Sequence, residues 1–583
     1  MSSHTIRDRL CLALAGFVLN FAAHATADQP RGRQTADSQS RPRLMVVVSV
    51  DQFPFLYQER LKKHLGDKGF FARARNEGAF FVDCHHPHAN TRTGPGHSVL
   101  LTGAHPGETG IIDNAWFDRV SGKKLYCVQD DEAISVGILD GKKLSPKNLA
   151  VGTLGDQMKL VSGGKAKVFG VGLKDRAAIL MAGHAADGAI WYDAKTPTNS
   201  GRWVSCNWYY PDLQLPKYLE LYNNEALSKK YGGGQWKLKF DDATMYEKFY
   251  EEDDAEWEQD VEVLGRKFPH DIPELGHKKF PDLMPISPRG SEMTLEIARL
   301  VAVEEKLGKD DVCDLLCINL SSNDFCGHAY GPYSLEVQDM TYQTDEMLEK
   351  FTQFLDEQVG AGQWTLALSS DHGVAPVPEH ASQLLGITAK RVLDPEIDKM
   401  RTGIESALVA YLGTPDGGAK YLLEGENEQA SNSVLLNTTL PQLAGAKFSE
   451  AQRIVRDKLL ADSNVAAAYT RDEILAGAGG QEMLRKFQLS FNAARSGDVV
   501  FCLKPYYIEG KTTANHGSPW NYDSHVTLLF VGAGVTPGVF ERRVAPAMIA
   551  PTAARIMGVP EPAACSVPPL YEAIGGRNSD AIR

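Results

Sequence analysis

The sequence predicts an α/β fold, with a mostly parallel central sheet and helices on both faces. Three observations predict it. "RLMVVVSVD" is a continuous β-branched apolar run ending at Asp51, and similar runs recur at "DLLCINLSSND", "WTLALSSDHG" and "VTLLFVGAG". Short unbroken apolar runs are expected of strands covered on both faces, as in parallel sheets. Between them, "SEMTLEIARLVAVEEKLG" and "EVQDMTYQTDEMLEKFTQFLDEQVG" carry apolar residues at helical spacing, and strands alternating with such helices build a parallel sheet.

Bulk properties agree. The 583 residues suffice for one large domain with insertions, and 43% hydrophobic with 23% charged residues excludes a wholly disordered or fibrous chain. A formal charge of −13 argues against nucleic acid as a partner, because that work needs clustered Lys and Arg. An anionic substrate therefore has to be met by local cations or metals.

Taken in order, the chain opens with a short basic stretch (Arg7, Arg9), the apolar run "LCLALAGFVLNFAA" and the small residues Ala25 and Ala27 before Asp28. This pattern reads as a signal peptide over residues 1–27 that directs the protein to the periplasm or outside the cell; an uncleaved anchor is the alternative. No later run reaches the ~18 apolar residues of a membrane span, so no stable membrane insertion is expected. Residues 28–42 read as a linker, 43–575 as one domain, and 576–583 as a frayed tail. Two segments break the strand–helix rhythm: about 194–285, rich in Trp, Tyr and acids, and about 380–500, read as a small α+β subdomain before the last core strand. Of nine cysteines, Cys11 lies in the leader, and Cys313 and Cys317 read as buried thiols. The sequence assigns neither disulfides nor an oligomeric state.

Ligands of open parallel sheets bind beyond the carboxyl ends of the strands. Asp51, Asp324 and Asp371 all fall at such ends. A lone Asp there is usually a helix cap, but His372 follows Asp371 directly and His328 stands four residues after Asp324, on the same face if the segment is helical. His516 precedes the last apolar run. Mixed Asp/His sets suit catalytic rather than structural zinc.

The ordered set "VD", "RTGPGH", "IIDN", "LKDR", "SSNDFCGH", "SSDHG" and "NHGSPWNYDSH" resembles the alkaline phosphatase superfamily over nearly the whole chain beyond the leader. More closely it is similar to the phosphate-irrepressible alkaline phosphatases, whose motifs overlap with those of nucleotide pyrophosphatase/phosphodiesterases. The resemblance implies two Zn2+ ions, one held by Asp324, His328 and His516, the other by Asp51, Asp371 and His372 with Thr93 facing it as nucleophile. His525 competes with His516 for its place, since both flank the same strand. Asn114 is expected to donate to a nonbridging phosphoryl oxygen, and Lys174 and Arg176 to bind the phosphoryl group of small-molecule phosphate monoesters.

The chemistry asks for these residue types. A threonine hydroxyl is a poor nucleophile unless a base or a metal activates it. In "NTRTGPGHSVLLTG", Pro95 suits the first turn of a helix whose N-terminal N–H groups face the phosphoryl oxygens; the competing reading is that Thr93 caps that helix. Lys174 and Arg176 flank Asp175, so an extended backbone sends both to one face, and two cations suit the dianion of a monoester better than a diester. His85, His86 and His88 are read as non-ligands for want of a carboxylate partner, His97 as packing behind Thr93, and Cys326 as a spacer. A phosphodiesterase on the same fold is the nearest rival. A sulfatase would need a Cys/Ser-x-Pro-x-Arg motif, a cofactor-independent mutase sits poorly with export, and a non-catalytic zinc- or phosphate-binding protein leaves Thr93 without a role.

Overall fold

The computed structural model describes residues 41–574 except 67, 250–252, 424–431 and 478, so the expected leader, most of the linker and the tail lie outside the described residues. At its centre is a ten-stranded sheet. In chain order its strands are β1 (Leu44–Val50), β2 (Ala79–Phe81), β3 (Ser135–Val136), β4 (Val168–Gly172), β5 (Gly188–Asp193), β6 (Arg202–Cys206), β7 (Asp314–Leu320), β8 (Trp364–Ser369), β9 (Leu528–Gly532) and β10 (Gly538–Phe540). Their spatial order is β10-β2-β9-β8-β1-β7-β4-β5-β6-β3. The five middle strands, β8-β1-β7-β4-β5, are parallel.

The unbroken apolar runs have the expected cause. In β1 every residue is buried, and alternate side chains enter different cores. Leu44, Val46, Val48 and Val50 join Leu316, Ile318, Leu366 and Leu368 on one face; Met45 and Val47 join Leu315, Cys317 and Ala367 on the other. The first face is covered by two long helices, Pro288–Glu304 and Leu335–Gln358, the second by Ile549–Met557.

One strand direction differs from expectation. "VTLLFVGAG" forms β9, which runs antiparallel to β8. The chain leaves β8 at its carboxyl end, makes a long excursion, and returns at that same end. The next strand must therefore run backwards. Within the excursion, helices Asp394–Leu412 and Ala446–Ala461 pack with a small antiparallel sheet of Ser433–Val434, Val499–Leu503 and Val465–Thr470 around a separate apolar cluster. Arg202–Cys206, inside the segment read as an insertion, pairs with β5 in the main sheet. Among the described residues all eight cysteines are free, and no helix is long and apolar enough to cross a membrane.

A carboxylate ties the long helix Leu335–Gln358 to the helix that leads into β2. Helix Phe70–Glu77 has no side-chain cap of its own; its N-cap is Gly69. Asp345 serves instead, accepting from the Phe71 N–H at 2.8 Å. It comes so close that a Cβ on Gly69 would stand 1.9 Å from Asp345 Oδ2. Burial pushes this carboxyl up to about 6, with Glu349 adding to the shift against the Phe71 N–H. A raised carboxyl contributes stability below its unfolded value of 3.8 and loses it as pH rises through about 6. Asp345→Asn keeps the accepting oxygen and removes the charge. Its unfolding free energy from urea titration, with chelator present throughout, should match wild type at pH 4 and exceed it at pH 8, by at most about 3 kcal/mol. A gain independent of pH would contradict the assignment.

Candidate active site

The predicted residues converge at the carboxyl ends of β1, β7 and β8. Register sets this: Ser49 lies beside Asn319 on one side and Ser369 on the other, so the residues just beyond share one end of the sheet. Asp51 follows β1 directly, its N–H bonded to Leu320 O at 3.1 Å. Asp324 and His328 lie on helix Ser322–Tyr330, and their i, i+4 spacing brings His328 Nε2 to 3.3 Å from Asp324 Oδ1. His516 Nε2 stands 3.7 Å from that same oxygen. His372 Nε2 lies 3.1 Å from Asp371 Oδ2 and 3.6 Å from Asp51 Oδ1. The two groups adjoin: the rings of His372 and His516 stack with centroids 3.4 Å apart.

The three histidines share one orienting device. Nδ1 of His372, His328 and His516 lies 2.9, 2.8 and 2.9 Å from the carbonyl oxygens of Gly373, Ala514 and Thr91 respectively. A carbonyl only accepts, so each Nδ1 carries the proton and, in the neutral ring, each Nε2 offers a lone pair towards the carboxylates. Backbone anchoring of the far nitrogen is how metal-ligating imidazoles are held.

Two further observations fit these residues to divalent cations. Asp51 Oδ1 is buried without a hydrogen-bond partner, and three fully buried carboxylates gather here against two cationic groups. Burial and the Asp371 charge push the Asp51 carboxyl up to about 6 although Lys174 opposes them. Burial would also raise Asp324 and Asp371, but Lys174 with His328 holds the first, and His372 with His97 the second, well below the ordinary range. The His372 ring, despite burial, is lifted to about 9 by Asp371, while burial and His372 together hold His516 well below its ordinary value. Imidazole nitrogen with carboxylate oxygen, no thiolate, and three protein ligands per group suit catalytic zinc.

Thr93 opens helix Thr93–Leu100, but Arg92 is the N-cap residue and the Thr93 hydroxyl caps nothing. Its Oγ1 instead accepts from Arg176 Nη2 at 3.2 Å and lies 3.4 Å from His372 Nε2. The helix can come this close because Gly96 lacks a side chain: a Cβ there would stand 2.2 Å from Asp371 O. Asn114 Oδ1 accepts from the Gly94 N–H at 2.7 Å, leaving its NH2 as the donor half of the amide.

Lys174 and Arg176 reach the site by a different backbone from the extended one expected. β4 ends at Gly172; Lys174 precedes, and Arg176 lies in, the first turn of helix Asp175–Ala182. Lys174 Nζ bridges Asp324 Oδ2 at 2.6 Å and Asp51 Oδ2 at 2.9 Å. Arg176 Nη1 donates to the Tyr126 hydroxyl at 3.2 Å, which itself donates to Asp175.

His525 lies elsewhere. It stacks on His85 at 4.3 Å and contacts Val82 O. Asp83, His85 and His525 form a separate group, so His85 does have a carboxylate neighbour. That carboxylate is held by both arms of Arg543, at 3.0 and 3.1 Å.

Several supporting residues carry no signal in the sequence. Gln52 donates from its backbone N–H to Asp371 Oδ1 at 3.2 Å and from its amide to Asp324 Oδ1 at 2.9 Å. Asn323 holds the carbonyls of Asp51 and Gln52. These contacts join residues some 270–320 apart, and no local pattern marks them.

Known proteins resemble the chain over most of its length. A family model described as type I phosphodiesterase / nucleotide pyrophosphatase matches residues 45–519. Alkaline phosphatase PhoV of Synechococcus elongatus is 32% identical over 558 residues, spanning 95% of this chain and 97% of its own. Alkaline phosphatase PafA of Elizabethkingia meningoseptica is 30% identical over 560 residues, spanning 93% and 96%. A crystal structure of alkaline phosphatase PafA superposes with a TM-score of 0.80 at 29% identity, covering 92% of this chain and 99% of that one. The chain belongs to the type I phosphodiesterase/nucleotide pyrophosphatase family, within the alkaline phosphatase superfamily.

Proposed function

We propose that this chain is an exported, zinc-dependent phosphate monoester hydrolase working through a phosphothreonine at Thr93. The observation that carries it is the placement of Thr93 Oγ1 against Arg176 and His372, beside the groups Asp324/His328/His516, Asp51/Asp324/His372 and Asp51/His97/Asp371. Asp324, His328 and His516 would hold one ion and Asp51, Asp371 and His372 the other. When bound, such a pair supplies Lewis acidity to both the attacking and the leaving oxygen of an in-line displacement.

The chain's own residues do the rest. Thr93 Oγ attacks phosphorus, giving up its hydroxyl proton to solvent and forming its P–O bond as the ester P–O bond breaks, and the departing alkoxide takes a proton from water. In the second step a water oxygen attacks the phosphothreonine, releasing inorganic phosphate and restoring the hydroxyl. Arg176, fixed through Tyr126 and Asp175, holds Thr93 and pairs with nonbridging oxygens; the Asn114 NH2 donates to another. Lys174 bridges two carboxylates that are also ligands in this reading. With that charge balanced by bound cations, the Lys174 ammonium would be free to pair with the phosphoryl group.

The relatives' activity, alkaline phosphatase, supports the monoesterase. The family description favours a diesterase, and Lys174 and Arg176 separate the two. With zinc-loaded protein at mildly alkaline pH, kcat/KM should strongly favour an aryl phosphate monoester over the matching diester; the reverse preference would move the chain to the diesterase branch. Thr93→Ala should lose phosphothreonine trapped by acid quench and at least ~1000-fold in kcat, and chelation should abolish turnover until zinc is restored. Lys174→Ala should cost more on the monoester than on the diester; equal losses would remove its assigned role. N-terminal sequencing of the exported protein should begin at Asp28, whereas retention of residues 1–27 would make the leader an anchor.

A further inference from the structure

His97 does more than fill space behind the nucleophile. It is fully buried, as are Asp371 and Asn319. Its Nδ1 lies 2.9 Å from Thr93 O and 3.2 Å from Asp371 Oδ2. Both oxygens only accept, so Nδ1 carries the proton. Its Nε2 faces Asn319 Nδ2 at 3.0 Å, a donor, so Nε2 accepts. Asn319 Nδ2 also faces Ser49 O and Asp51 Oδ2, each at 3.4 Å; both only accept, which settles the orientation of that amide, and Ser321 Oγ donates to its Oδ1. Every polar atom of the ring is thereby committed, and its neutral tautomer is set from both sides. An apolar ring would fill the same volume without leaving polar atoms to satisfy in a dry place.

The placement links two reacting parts. His97 stands one turn after Thr93, so both lie on one face of the helix. The same nitrogen bonds to the carbonyl of the nucleophile's own residue and stands 3.2 Å from the carboxylate of a proposed metal ligand, whose Oδ2 has no hydrogen-bond partner of its own. Asn319 Nδ2 also lies 3.4 Å from Asp51 Oδ2, carrying the chain of contacts to a second proposed ligand.

We infer that His97 is a positioning residue, joining the nucleophile helix to Asp371 so that Thr93 and the metal group containing Asp371 keep one spacing. The inference rests on the roles of Thr93 and Asp371 proposed above. Its test compares three variants of the full chain. His97→Asn puts an amide N–H where Nδ1–H stands; His97→Gln reaches only the Nε2 position; His97→Phe offers neither.

Zinc bound per chain would be measured by atomic emission across buffered free-zinc concentrations, alongside kcat and KM, with circular dichroism reporting the fold. For H97F one of the two zinc sites, the one containing Asp371, should lose about 10–100-fold in affinity, the loss typical for outer contacts of a metal ligand. The other site should stay within about threefold of wild type, and kcat should fall about 10–100-fold with KM little changed. H97N should recover most of both losses and H97Q should not; should H97F fail to fold, H97N against H97Q carries the same comparison. Wild-type zinc binding in H97F, equal loss at both sites, or H97N no better than H97Q would overturn the assignment while leaving the phosphatase reading intact. A wild-type chain that binds fewer than two zinc ions would defeat that reading first, and this inference with it.

Discussion

Three carboxylates buried at one end of a sheet are the constraint around which the rest is arranged. Asp51, Asp324 and Asp371 sit where water does not reach, and like charges in such a place repel strongly. Nearly everything nearby answers that repulsion. Lys174 spans two of them, His372 and His97 face the third, and the amide of Gln52 reaches across from one group to the other. A fold with no use for this concentration of charge would be more stable with apolar residues here. The arrangement makes sense as a cradle whose charge is completed from outside.

Rigidity follows from how that cradle is tethered. Each proposed imidazole ligand is anchored to a backbone carbonyl, and each of those carbonyls belongs to a different part of the chain: Gly373, Ala514 and Thr91. The ligand geometry is therefore set by the packing of loops rather than by side-chain freedom. The nucleophile helix is pressed against the Asp371 backbone with only a glycine hydrogen between them. Positioning of this kind is most of what a phosphoryl-transfer site needs from its protein, since charge and alignment do the work.

Much of this is legible in the sequence, for a physical reason. Strand runs buried on both faces stop where polar function begins, so Asp51 and Asp371 announce themselves at the ends of "VVVSV" and "LALSS". The four-residue step from Asp324 to His328 is readable once the segment is helical. Other features leave no local trace. In "VFGVGLKDRAAILM" the charges "KDR" suit an exposed strand end as well as the first turn of a helix, so the turn at Leu173–Lys174 reads as continued strand. An apolar run says nothing of its direction, which is why the antiparallel course of β9 is invisible before the fold is seen. Gln52, Asn319 and His97 matter through partners hundreds of residues away, and only the folded register brings them together.

The long excursion between β8 and β9 is closed at its base. The Ala375 N–H bonds to Asn515 O at 3.1 Å, and the Val374 N–H to Tyr522 O at 3.0 Å. Its outgoing limb begins just after His372 and its returning limb carries His516, so both stems are stitched to each other next to the cation cradle. What lies above that stitch also leans on the core: Arg495 donates to the carbonyls of Gly110 and Asn148, and the Ala89 N–H bonds to Lys486 O and Ser490 Oγ. A change made far out in the excursion is therefore transmitted to both stems, and with them to His372 and His516.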